Sequence, residues 1–250
     1  MVAIAREHRL FMICDEIYAN IIYNGSDTAA LSEVIGDVPG MALRGISKEY
    51  PWPGARCGWI EVYNQDQYPA FKTYIKTLIN AKMLEVSSTN LPQLSIPRVM
   101  GDPRYKEHLV RRKQLFSERA DEAYHIFSAV DNIKVIKPQG AFYMTVLFQD
   151  GVLDDQQRLE ITNPKIRELV EKNVQDTTLD KRFVYHLLGA TGICVVPLSG
   201  FASNKNGFRL TLLESDDHTR NKTWKYHCRE NRTIPFFLIF FGIKLDILNN

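Results

Sequence analysis

Charge of one sign is missing from this sequence: 31 Lys and Arg face 29 Asp and Glu, a formal balance of +2 at neutral pH. That near-neutrality removes the electrostatic footprint of a nucleic-acid or membrane-surface binder. Long hydrophobic runs are missing too. The longest apolar run, Ile234–Ile243, is ten residues, where a membrane-spanning helix needs about 18–20. The opening MVAIAREHRLFMICDE carries charges through any apolar region and lacks a small-residue cleavage site, so it does not read as a signal peptide. Cysteine is scarce: four, at 14, 57, 194 and 228, with no CxxC and no zinc-finger spacing. Cys14 and Cys194 sit in apolar runs, as small buried thiols do. The compartment therefore reads as reducing, with the cytoplasm as the default. Three Asn-x-Ser/Thr sequons, beginning at Asn24, Asn221 and Asn231, read as chance in that setting. HExxH, P-loop and GxGxxG patterns are absent and the six histidines show no metal spacing, so no metal is expected.

What is present is ordinary globular composition: 250 residues, 45% apolar and 24% charged. Such a chain can bury roughly 70–75% of its unfolded surface in one or two domains. Val2–Arg9 reads as the last turns of a helix, and Leu10–Cys14 (LFMIC) is an apolar run of strand length. A run apolar on both faces suits a parallel strand covered by helices on both sides. A helical segment over ALSEVIGDV follows, then strands at Met41–Ser47 and Cys57–Tyr63. That alternation indicates an α/β layer.

Farther on, spacing predicts helices over Tyr68–Leu84 and, interrupted by prolines, over Asn90–Met100. A long surface helix within Pro103–Val130 runs from one domain to the next. Strands are expected at Asn132–Lys137 and Ala141–Phe148, separated by the turn PQG. The charged segment Gln149–Asp180, with a helical core at Pro164–Val174, reads as a surface insertion. A helix at Lys181–Leu188 and strands at Ile193–Pro197 and Phe208–Leu213 complete the pattern.

Asp15 directly follows LFMIC, at the C-terminal end of the expected parallel strand, where open α/β sheets bind ligands. Tyr18 stands three residues on. Lys48 holds the same kind of position after ALRGIS, and Arg56 ends the Pro/Gly-rich YPWPGAR. Singly these are commonplace: Asp and Tyr near strand ends are commonly turn residues, and a lone Lys is commonly a solvated charge. Together, an acid, a phenol, a lysine and an arginine suit a phosphate-bearing electrophilic cofactor.

The ordered set DEIYANIIYNG, GISKEYPWPGARCGW, QGAFY, GICVVPLSGF and FRLTLLE resembles the class I/II aminotransferases of pyridoxal-phosphate fold type I. SKxxxxPGxRxGW is its most specific part, and the resemblance runs from about residue 1 to about 225. It implies that Lys48 is the residue whose ε-amine condenses with the cofactor aldehyde and then moves the proton between Cα and the cofactor. A lysine pKa shifts readily with its surroundings, which suits both tasks. It implies that Asp15 keeps the pyridine nitrogen protonated and that Tyr18 donates to the phenolic oxygen. Ser47 and Arg56 would bind the phosphate, and Arg209 in FRLTLLE would clamp the substrate α-carboxylate.

The resemblance implies an α/β fold: the second half of a mainly parallel-sheet cofactor domain (1–105), then a smaller α+β C-terminal domain (106–225) carrying the 149–180 insertion. Pyridoxal 5'-phosphate is the implied cofactor, amino acids and 2-oxo acids the substrates, and a homodimer the assembly, with VSSTN (86–90) reaching the neighbouring subunit. There are departures. Gly45 stands where many relatives have a phosphate-touching serine. The family's first half, with its phosphate-binding turn, ring-stacking aromatic and asparagine, has no counterpart, so the resemblance implies an N-terminally truncated member. Residues 226–250 depart as an anomalous tail, as after a frame change or read-through. Two other readings remain on the same residues: other pyridoxal-phosphate chemistry such as β-elimination or decarboxylation, and a non-catalytic fragment or regulator domain.

Overall fold

In a computed structural model of the chain, which describes residues 1–25 and 27–224, the contacts divide the protein into two compact units. One comprises Met1–Leu115 with Gln139–Ala141; the other comprises Phe116–Pro138 and the described residues from Phe142 on. The tail set apart in the sequence, 226–250, lies outside the described residues. Among the described residues no helix is long and apolar enough to cross a membrane.

The first unit is built on a three-stranded sheet in the order β1-β2-β3, with β1 Met12–Asp15, β2 Gly40–Gly45 and β3 Gly58–Tyr63. The first pairing is parallel, Met12 against Gly40 through Asp15 against Leu43. The second is antiparallel, Gly40 against Tyr63 through Gly45 against Gly58. β3 returns along β2 because the 46–57 loop stays at one end of the sheet, with no crossover helix to reverse it. Of the two pairings in this unit, then, one is parallel, and the mainly parallel arrangement expected of the domain is represented by β1 and β2.

Helices α1 (Val2–Glu7) and α2 (Leu31–Val34) cover one face, where Ala5, Leu31, Ile35, Val38 and Ala42 form a core with Met12 and Cys14 against it. α2 is shorter than the ALSEVIGDV reading, because the chain turns at Gly36, whose φ of +58° is open to glycine at little cost. α3 (Pro69–Lys82) covers the other face over β2 and β3, placing Phe71, Ile75 and Leu78 on Met41, Leu43 and Val62. It does not cover β1: Ile13 is 54% exposed. The expectation of a strand buried on both faces is corrected here, since the β1 face beside Asp15 is apolar but open.

α4 (Asn90–Met100) runs through both prolines. Pro92 lies in the first turn, where its missing N–H has no helical partner to lose, and Pro97 stands inside the helix. α5 (Arg104–Ser128) follows, and the division between the units falls within it.

The second unit carries a four-stranded antiparallel sheet in the order β4-β5-β7-β6, from β4 Ile133–Ile136, β5 Tyr143–Phe148, β6 Val196–Pro197 and β7 Gly207–Thr211. β5 alternates strictly, with Met144, Val146 and Phe148 turned inward. There they meet a ring cluster in which Phe148 approaches Phe183 edge-on at 4.9 Å and Phe183 stacks on Phe208 at 5.6 Å. Phe183 belongs to α7 (Leu179–Thr191); α8 (Asp217–Trp224) ends the described chain. Within 149–180, α6 (Pro164–Asn173) starts at Asn163, whose Oδ1 accepts from the N–H groups of Lys165 and Ile166. Its Val170, with Ile161 and Val174, packs on Tyr185 and Ala190 of α7, so this charged segment brings its own apolar core to the unit.

His186 of α7 is 2% exposed. Burial first, and then the Arg182 and Arg158 guanidinium groups, push its pKa down from 6.5 to about 4. Between those values the unfolded chain binds the proton and the folded one does not. The neutral imidazole therefore contributes its full stability above pH 6.5 and loses it as pH falls towards 4. The interval corresponds to roughly 3 kcal/mol. Urea melts at pH 7 and pH 4.5 should show that decline in wild type, and His186→Leu should flatten it.

Candidate active site

β1 stops at Asp15 because the carboxylate folds back on its own chain: Oδ1 accepts the N–H of Ile17 at 3.1 Å, an Asx turn. Glu16 points away from Asp15 and is buried. Its Oε1 accepts the Leu31 N–H at 2.5 Å, and its Oε2 pairs with Arg44 at 2.6 Å. Arg44 continues to Glu61 at 3.0 Å, and Glu61 accepts from Trp59 and Tyr63. Burial raises the Glu61 carboxyl, but the hydrogen bonds from Tyr63 and Trp59 and the Arg44 charge bring it below its usual range overall. This network ties the three strands together through Glu16, Arg44 and Glu61 and leaves Asp15 exposed.

Because β1 and β2 are parallel, the segments after both strands emerge at the same end of the sheet. Ser47 and Lys48 follow β2 there, and Lys48 Nζ lies 5.7 Å from the centre of the Tyr18 ring. Arg56 comes back to that end through the turn Pro53–Ala55. It stands in the left-handed region at φ +51°, exposed, with Nη1 donating to the Pro53 carbonyl at 3.0 Å. The loop is closed at its base by the Ile46 N–H donating to the Cys57 carbonyl at 3.3 Å. A side chain at Gly45 would start 2.9 Å from Ile17 Cδ1 and 3.2 Å from the Cys57 carbonyl. The absence of a serine there is thus matched by the Asx turn lying against β2.

The end of DEIYANIIYNG also touches the start of QGAFY: Ile22 bridges Gly140, Tyr23 N–H donates to Gln139 O, and Ala141 N–H donates to Ile21 O. Arg209 stands in β7 of the second unit, between buried Phe208 and Leu210. Its guanidinium carbon lies 4.2 Å from the Tyr143 ring centre and 4.0 Å from that of Phe201. Two aromatic rings lie within cation–π distance of the planar group, and three sequence motifs, QGAFY, GICVVPLSGF and FRLTLLE, meet in that stack.

Sequence reasoning misses the residues that hold the lysine loop. Glu49 is 8% exposed; its Oε1 accepts the Asn20 N–H at 3.1 Å and its Oε2 accepts the Tyr105 hydroxyl at 3.3 Å. His108 Nε2 lies 2.9 Å from the Glu49 carbonyl, and Arg112 Nη2 donates to the Lys48 carbonyl at 3.1 Å. Tyr105 stacks on Tyr50 at 5.2 Å. Burial, with Tyr50 and Glu49 adding to it, holds the Tyr105 hydroxyl well above the usual phenol range, so it stays a donor. The only signal is the 105/108/112 spacing, which puts three polar residues on one helix face.

The family described as aminotransferase class I and II matches residues 1–221 of this chain. An uncharacterized aminotransferase of Methanocaldococcus jannaschii is 51% identical over 217 residues, covering 87% of this chain and 50% of that protein. An alanine aminotransferase of Mycobacterium tuberculosis is 28% identical over 163 residues, covering 64% of this chain and 37% of its own length. Among solved structures, an alanine aminotransferase from Pyrococcus furiosus superposes with a TM-score of 0.67 at 24% identity, covering 89% of this chain and 49% of that one. An aromatic aminotransferase from Pyrococcus horikoshii gives 0.66 at 18% identity, over 86% and 49% of the two chains. Both superpositions speak to the fold alone. The chain spans about half the length of that Methanocaldococcus jannaschii protein. With a family match over nearly all the described residues, and a relative at 51% identity across 87% of the present chain, this chain belongs to the class I and II aminotransferases.

Proposed function

We propose that this chain carries the lysine-bearing part of a pyridoxal-phosphate-dependent aminotransferase, which moves an α-amino group from an amino acid to a 2-oxo acid. The observation that carries the reading is the meeting of Asp15, Tyr18, Ser47 and Lys48 at one end of a parallel strand pair, with Lys48 Nζ 5.7 Å from the Tyr18 ring centre. The donor set fits the cofactor chemically. A carboxylate suits a protonated ring nitrogen, a phenol suits a phenolic oxygen, and a primary amine suits an aldehyde. A hydroxyl with a guanidinium suits a phosphate.

When bound, the cofactor supplies the aldehyde and a ring that draws electrons from the substrate Cα. The protein does the rest. Asp15 holds a proton on the ring nitrogen. Lys48 takes the proton from Cα and returns it, a general acid–base task worth about 10²–10⁴-fold. Arg209 holds the substrate α-carboxylate through two parallel N–H bonds, so that the Cα–H bond keeps one orientation. Contacts with the Tyr143 and Phe201 rings keep that planar fork aimed.

A second copy of the chain is the proposed partner. Met83 and Leu84, just before VSSTN, and Val86, its first residue, are 75%, 84% and 83% exposed, and neighbouring exposed apolar side chains suit a surface that another copy covers. A reducing, cytoplasmic setting suits the free Cys14, Cys57 and Cys194. The reading is tested on the protein loaded with pyridoxal phosphate, given a ¹⁵N-labelled amino acid and an unlabelled 2-oxo acid. Label in the new amino acid is the expected result. Ammonia released from the donor alone, with no acceptor aminated, would replace transamination by elimination chemistry.

A further inference from the structure

We infer that Glu49 is the positioning residue for Lys48: its buried carboxylate ties the turn that carries Asp15 and Tyr18 to helix α5, and so fixes the peptide on which the lysine stands. The inference rests on the proposed role of Lys48. A lysine side chain has four rotatable bonds, so its amine is aimed only if its backbone is held. The 46–57 loop has little regular pairing of its own to do this. The holding comes from three directions at neighbouring atoms. The Lys48 carbonyl accepts from Arg112, the Glu49 carbonyl faces His108 Nε2 at 2.9 Å, and the Glu49 carboxylate spans Asn20 N–H and the Tyr105 hydroxyl. A carbonyl can only accept, so His108 must carry its proton on Nε2.

The geometry is economical. Tyr105, His108 and Arg112 occupy one face of α5, and Asn20 is two residues beyond Tyr18. A single acidic side chain therefore sets the distance between the two segments that hold Asp15, Tyr18 and Lys48. A carboxylate that is 8% exposed is costly to bury, and a purely structural filler at this position would more simply be apolar. Removing it leaves the Asn20 N–H and the Tyr105 hydroxyl without their acceptor.

The test uses Glu49→Ala, Glu49→Gln and Tyr105→Phe in the full chain, with two readouts. The first is amide hydrogen exchange. Glu49→Ala should speed exchange in 46–50 and 17–20 while the sheet cores stay protected. The second is borohydride fixation of pyridoxal phosphate at sub-saturating concentration, with the label located by peptide mapping. Fixation on the Lys48 peptide should fall about tenfold in Glu49→Ala and roughly threefold in Tyr105→Phe. Glu49→Gln, whose amide oxygen can accept the Asn20 N–H while its NH2 donates to the Tyr105 oxygen, keeps both ends of the bridge and should return within about twofold of wild type. A merely structural role would lower all readouts with the melting temperature and would not be rescued by glutamine.

Equal labelling of Glu49→Ala and wild type would overturn the inference while leaving the proposed function standing, as would a Glu49→Gln as impaired as the alanine variant. Wild type that takes no label on Lys48 would instead overturn the proposed function. Exchange then judges the bridge alone: unchanged rates at 46–50 remove it, and selectively faster ones support it. Should Glu49→Ala not fold, Tyr105→Phe carries the same comparison.

Discussion

Lys48→Ala is expected to lower amino-group transfer by roughly four orders of magnitude, because one nitrogen is given two tasks that nothing else at the sheet end can perform. In the proposed reaction it would condense with the cofactor aldehyde and move the proton at the substrate Cα. In the proposed site Asp15 and Tyr18 would be engaged in holding the ring, and an arginine such as Arg56 cannot give up its proton at ordinary pH. The loss should not be a folding defect. The Lys48 backbone carbonyl is held by Arg112 and that contact survives the substitution, while the Nζ contact with the Tyr18 ring is lost at a cost of about 1 kcal/mol or less. The melting temperature should therefore stay within a few degrees of wild type, and non-covalent pyridoxal phosphate should still bind through Asp15, Ser47 and Arg56. In wild type, borohydride should fix the cofactor on the peptide containing GISKEYP. A label on any other lysine removes Lys48 from this role.

Much of the lysine's setting is legible in the amino-acid sequence, and the reason is topological. Apolar runs of strand length locate β1, β2 and β3, and parallel strands must end at the same side. The residues just after LFMIC and ALRGI are thus bound to share a neighbourhood. Strand direction is less legible. Nothing in CGWIEVY says that β3 runs back along β2, since run length marks a strand and not its sense. Exposure is less legible still: Ile13 and Met41 look alike in sequence, yet Ile13 is open and Met41 lies under Phe71. Covering is decided by where α3 lands, which is a tertiary fact.

The same limit explains the clamp on the lysine loop. Tyr105, His108 and Arg112 sit more than fifty residues from Lys48 in a helix that reads as an amphipathic surface element. A polar i, i+3, i+7 face has no meaning until its partner is known. Glu49 is hidden for the opposite reason: a glutamate beside a lysine in a Pro/Gly-rich loop reads as solvated, whereas here it is buried with both oxygens occupied. Arg209 is marked by its motif, but the aromatic stack around it is not. Tyr143 and Phe201 come from strand and turn segments far apart in the chain, brought together by the β5–β7–β6 register.

That stack makes Arg209→Lys the second large effect. Lysine keeps the charge but loses the planar fork and the two ring faces at 4.2 and 4.0 Å that orient it. The charged hydrogen bonds to a carboxylate are worth about 1.5–3 kcal/mol, so kcat/KM for an amino acid should fall roughly 10- to 150-fold. Arg209→Ala should fall at least as far. Stacking adds to the loss, because a lysine ammonium on its flexible stem cannot lie flat on the Tyr143 and Phe201 rings. Cofactor binding should be unchanged, since Arg209 belongs to β7 and the proposed cofactor ligands belong to the other unit. The deciding control is an amine substrate that lacks the α-carboxylate. For that substrate the wild type and Arg209→Lys should turn over at equal rates, because the clamp has nothing to hold. Equal rates with the amino acid as well would remove Arg209 from the substrate site and return it to a stacked structural arginine on β7.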